Sequence, residues 1–123
     1  TQRHYMGRLL TAHLIRQNVS LPHRFEIDSY HAILALVGQG EGWSILTPLA
    51  LMRGQRFADQ IDVMALPLEP LSRTISLIAR KELLQDMPTQ VAATLRPILQ
   101  WTVLGPAIET YPFLKDQIEM LGT

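Results

Sequence analysis

Three glycines in five residues, Gly38, Gly40 and Gly42, constrain this chain more than any other feature. Glycine enters the left-handed backbone region without steric cost, so a helix running into this cluster should end there. The residues ahead of it are suited to that helix. Asp28 and Ser29 are good N-caps, because their side-chain oxygens accept from the first free backbone N–H groups. Ile33, Leu36 and Val37 then share one helical face. Upstream, Arg24 to Asp28 alternates, with Phe25 and Ile27 on one side, as in a half-buried strand. Downstream, Trp43 to Leu46 reads as a short apolar strand, stopped at Thr47-Pro48. Proline suits a first helical position, so another helical turn can start there. Strand, crossover helix and strand predict a parallel pair, and with it an α/β fold.

The rest of the chain extends this pattern. Residues 3–18 read as an amphipathic helix with Met6, Leu9, Leu10, His13 and Leu14 on one face, followed by a turn from Asn18 to Pro22. Arg53 to Arg56 is a polar turn. Gln60 to Leu68 places Ile61, Val63 and Ala65 on one parity, which predicts a short strand. Arg73 to Arg80 alternates over eight residues and is the next expected strand. Asp86 to Gln100 reads as a helix, with Asp86 as cap, Met87, Val91, Leu95 and Ile98 along one side, and Pro97 expected to kink or end it. Leu104-Gly105-Pro106 is a breaker, and Tyr111-Pro112 opens an expected last short helix carrying Leu114, Ile118 and Leu121.

Composition excludes several functions. The 123 residues suit a single domain of modest size, and 47% hydrophobic content is enough for a core. Eleven basic and eleven acidic residues cancel, so no basic surplus is available to neutralise phosphates, and this stretch alone is a poor nucleic-acid binder. Without cysteine there is neither a disulfide framework nor thiol catalysis. No apolar run is long enough to span a bilayer. Four histidines, His4, His13, His23 and His31, lack the three- or four-residue spacing of a helical ligand pair, so no metal is expected. No nucleophile elbow is present, and the Gly38–Gly42 run follows a helix, whereas a phosphate loop follows a strand. Neither an enzyme nor a cofactor is indicated.

The run Leu36-Val37-Gly38-Gln39-Gly40-Glu41-Gly42-Trp43-Ser44-Ile45-Leu46-Thr47-Pro48, entered through Asp28-Ser29, resembles the effector-binding domain of LysR-type transcriptional regulators. That family has a pattern close to LVAAGxGIxLLP. Trp43 stands where isoleucine is usual, and Thr47 where the residue before proline is usually apolar. Leu66-Pro67-Leu68 and the run from Arg73 to Arg80 are similar to the family's late strand pair, so the resemblance covers about residues 1–100. It implies part of a type 2 periplasmic-binding-protein-like fold, a mixed sheet flanked by helices. Residues 1–72 would be the second subdomain of the effector-binding domain. Residues 73–103 would be the return strand and helix packing toward the first; residues 104–123 lie outside the resemblance and form a C-terminal tail, read as helical from its own pattern. The resemblance further implies a small-molecule effector, a homodimer or tetramer, DNA contact only through a helix-turn-helix domain upstream of this chain, and a cytoplasmic location without membrane attachment.

Ligands in open α/β sheets sit beyond the carboxyl ends of the strands. That rule, with the resemblance, selects Arg3, His4, Ser29, Tyr30, Thr47 and Pro48 as effector-facing. The first turn of a helix suits an anionic effector, since its N–H groups are unpaired and its dipole end is positive. Each residue also has a plainer role. Arg3 and His4 can be a solvated helix end, Ser29 a cap (compatible with ligand contact), and Tyr30 an exposed aromatic. Trp43 is read as core or interface. Two other classes fit the same chain: a solute-binding protein of the same fold, and a truncated fragment that self-associates through apolar faces.

Overall fold

A computed structural model describes residues 3–80 and 85–122. The chain divides into two compact units, Thr1–Ser72 and Arg73–Thr123.

The expected mixed α/β sheet is absent: no strand forms among the described residues. The segments 24–28, 43–46, 61–68 and 73–80 run irregularly between helices, and Gln60 belongs to a 3₁₀ helix instead. The physical reason is that a strand is collective. Alternation in sequence fixes which side chains share a face, but a strand exists only when its backbone N–H and C=O groups meet a neighbour's. None of these four segments enters a ladder here.

In the first unit, helix α1 spans Tyr5–Arg16, α2 spans Tyr30–Gly38 and α3 spans Pro48–Arg53, with a 3₁₀ helix at Gln55–Gln60. Both longer helices end in the same way. After α1, Asn18 takes φ 54°, Val19 N–H donates to Leu14 O at 2.9 Å and Asn18 N–H to Ile15 O at 3.0 Å. After α2, Gly40 takes φ 81°, Glu41 N–H donates to Leu36 O at 3.1 Å and Gly40 N–H to Val37 O at 2.9 Å. This crossed pair of bonds is the Schellman ending, which satisfies carbonyls that the helix leaves open. Gly42 is also left-handed, at φ 147°.

Gly38 has a different role from its neighbours. It lies inside α2, and a Cβ there would stand 2.9 Å from Gln60 Oε1. Four residues earlier on the same face, Leu34 is 2% exposed and packs against Gly54, leaving no room for a side chain there. The core-facing edge of α2 is therefore Leu34 with Gly38. Ile33, Leu36 and Val37, the expected face, are only half-buried. The buried set of this unit is completed by Leu14, Ala50, Leu51 and His13.

In the second unit, α4 spans Met87–Leu99, continues through a π-helical turn at Gln100–Leu104 into α5 at Gly105–Thr110, and a 3₁₀ helix follows at Pro112–Asp116. Asp86 occupies the N-cap position, yet its side chain makes no capping bond. Pro97 neither ends α4 nor separates it from the π turn. The register changes three residues later. Gly105 N–H reaches back to Gln100 O across the wider π turn, directly before Pro106. A wider turn gives a proline ring space from the preceding carbonyls and absorbs its missing donor. A Cβ on Gly105 would lie 3.1 Å from Gln100 O, which favours glycine at this junction. Arg96 donates to Leu121 O at 2.8 Å and to Gly122 O at 3.4 Å, tying the end of the chain to α4. Ala107 and Leu114 are buried; no residue of α4 is. The last short helix stops at Asp116, so Ile118 and Leu121 lie beyond it.

Candidate functional site

The first unit brings two helix starts together. His4 is the N-cap residue of α1, with extended backbone and no side-chain capping bond. Its Nε2 lies 3.5 Å from Asp28 Oδ1, and Asp28 precedes Ser29, the N-cap of α2. Residues 24 positions apart thus meet at the start of both helices. A carboxylate is favourable there, because each helix start carries partial positive charge. Both side chains remain largely exposed, so the contact is weakly held.

Ser29 Oγ accepts from Ala32 N–H at 3.4 Å, and Thr47 Oγ1 accepts from Ala50 N–H at 3.2 Å. Each closes the first turn of its helix in the same way, from N-cap to third residue. Capping uses the hydroxyl oxygen as an acceptor and leaves its proton available to donate outward. Pro48 is the first residue of α3, where its missing N–H costs nothing. Tyr30 is the first residue of α2, with its ring exposed.

The position of α2 follows from its packed end. Leu34 and Gly38 fix the helix against the segment from Gly54 to Gln60, and its Ser29–Tyr30 end is exposed. Arg24 adds a surface clasp: its Nη1 donates to Glu41 O at 3.3 Å and lies 3.4 Å from Glu41 Oε2, joining the segment before α2 to the turn after it.

Of the six residues expected to face an effector, His4, Ser29 and Tyr30 therefore share one neighbourhood, with Asp28 between them. Arg3 adjoins it in sequence, is exposed, and its carbonyl accepts from Arg8 Nη1 at 3.1 Å. Thr47 and Pro48 sit at a separate helix start, where the Thr47 hydroxyl caps α3. Trp43, expected in a core or interface, is 68% exposed. Sequence reasoning placed Asp28 beside Ser29 but had no means of pairing it with His4. It also missed the bond between His13 and Glu69, whose partners lie 56 positions apart and carry no local signal. Among the described residues no group of three His, Asp or Glu side chains is placed to hold a metal ion, and no helix is long and apolar enough to cross a membrane.

A family model described as the LysR substrate binding domain matches residues 1–96. No curated protein and no solved structure matches the chain. The matched span takes in all of the first unit, including both helix starts and the glycine turn that ends α2. The chain belongs to the LysR substrate-binding-domain family.

Proposed function

We propose that this chain is the small-molecule effector-sensing domain of a LysR-type DNA-binding transcriptional regulator. The observation that carries the reading is the family match over residues 1–96. The meeting of His4 with Asp28, the residue before the N-cap Ser29, supports it locally. On this reading the effector is a small anion. Its negative group takes N–H donors from the first turns of α1 and α2, with the Ser29 and Tyr30 hydroxyls and the His4 ring as further partners. Residues 1–72 supply the effector-facing side chains. DNA contact belongs to a separate helix-turn-helix domain, in keeping with the zero net charge of this chain. The regulator acts in the cytoplasm as a homodimer or tetramer. An effector changes its output only by binding one arrangement of that oligomer more tightly than another.

The test is calorimetric titration of the full-length regulator with a panel of small mono- and dicarboxylates, repeated on His4→Ala with Tyr30→Phe. His4 is an N-cap whose side chain makes no capping bond and whose contact with Asp28 is exposed, and Tyr30 caps nothing, so stability should largely hold. Binding of the best carboxylate should weaken by at least about tenfold, or roughly 1.4 kcal/mol. Unchanged affinity in the double variant would remove these residues from the effector site. An effector that binds yet leaves operator affinity untouched would defeat the sensing role.

A further inference from the structure

We infer that His13 is a latch that fastens the last residues of the first unit to its first helix, fixing the point from which the chain departs toward Arg73. The inference rests on geometry alone and needs no effector. His13 lies in the last turn of α1 and is 5% exposed, the only polar side chain among the described buried residues. Its Nε2 is 2.7 Å from Glu69 O. A carbonyl oxygen only accepts, so Nε2 carries the proton and the imidazole is the donor. Glu69 lies three residues before Ser72, where the first unit ends.

Local structure cannot supply what this bond supplies. Pro67 and Pro70 bracket Glu69, and each removes a backbone donor. Pro70 also keeps Glu69 out of helical conformation, so its carbonyl cannot enter a helical turn. The residues from Ile61 to Arg80 form no regular element. Leu68 and Leu71 are half-buried on either side and supply undirected apolar contact. The imidazole adds a single directed bond, made from a buried ring to the carbonyl of an otherwise exposed residue. His13 is thus a positioning residue: it acts through the Glu69 carbonyl.

The experiment is backbone and imidazole NMR on the full chain, comparing wild type, His13→Leu and His13→Gln. Leucine keeps an apolar side chain of similar reach and loses the donor; glutamine keeps an N–H donor. In wild type the His13 ring should show the Nε2–H tautomer with a slowly exchanging proton. The amides of Leu68, Glu69 and Leu71 should show order parameters near about 0.85. In His13→Leu these should fall below about 0.6, while those of Leu34 and Ala50 hold. His13→Gln should recover most of the order. Equal order in wild type and His13→Leu, or loss in both variants alike, would overturn the latch. Should His13→Leu fail to fold, the wild-type ring decides: an Nδ1–H tautomer, or rapid exchange of the Nε2 proton, is incompatible with the bond.

Discussion

The two units use amphipathic helices in opposite ways. In the first, one side of each of α1, α2 and α3 is covered, with Leu14, Leu34, Ala50, Leu51 and His13 buried, while Ile15 and Leu49 stay exposed. In the second, α4 has the cleaner pattern. Met87, Val91, Leu95 and Ile98 form a stripe about 16 Å long, yet all four are exposed. The half-buried positions of the same helix, Pro88, Ala92 and Arg96, lie on another side, and Arg96 ties it to Leu121 and Gly122. Trp101, in the π turn, is 80% exposed. Hydrophobic period therefore predicts that a helix forms and which residues share a face. It does not say which face is covered, because coverage depends on a partner surface.

This contrast can be broken or sharpened by substitution, read by denaturant unfolding with a probe in each unit, since two units need not melt as one. The largest effect is expected at Leu34→Ala, which leaves a void beneath α2 and should cost about 2–5 kcal/mol in the first unit. Gly54→Ala tests the same contact from the other side. A Cβ there meets Leu34 Cδ1, so Leu34 must move, at a cost of about 1–3 kcal/mol. A neutral result would show that α2 is loosely seated. The helix caps come next. Thr47→Ala should cost about 1 kcal/mol and Ser29→Ala somewhat less, because its capping bond is the longer of the two. The smallest effect is expected at Ile98→Ala in the exposed stripe, under about 1 kcal/mol. A loss there as large as at Leu34 would mean that the stripe is covered in solution, and the contrast between the units would fall.

Ser29, Thr47 and Gly40 show what is legible from sequence. Capping and helix endings depend on residues three to five positions apart, so the side chain and the backbone group it serves are neighbours before any fold exists. Pro97 and Gly105-Pro106 show the limit of the same local reasoning. Both read as breaks in the sequence, yet the helix passes the first and absorbs the second through a π turn. Proline sets a local cost, and the surrounding helix decides how it is met.

The site divides along the same line. The sequence puts Ser29 and Tyr30 at a helix start, and they are there. Thr47 and Pro48 likewise start a helix of their own, where proline suits a first helical position, but that His4 joins Ser29 and Tyr30 is decided by how α1 and α2 pack. The expected sheet shows the gap most fully. Arg73 to Arg80 alternates as a strand should, but a ladder needs a second backbone at hydrogen-bonding distance, and none pairs with it.

The sequence by itself determined the family, the helices α1, α2 and α4, and the helix starts at Ser29 and Thr47-Pro48, because these follow from residue identity and short-range spacing. Only the tertiary structure decided which faces are buried, that Leu34 meets Gly54, that His4 meets Asp28, and that His13 holds Glu69. Those contacts join residues 20 to 56 positions apart. Across such separations the chain entropy of closing the loop must be overcome by packing, and packing depends on every surface at once.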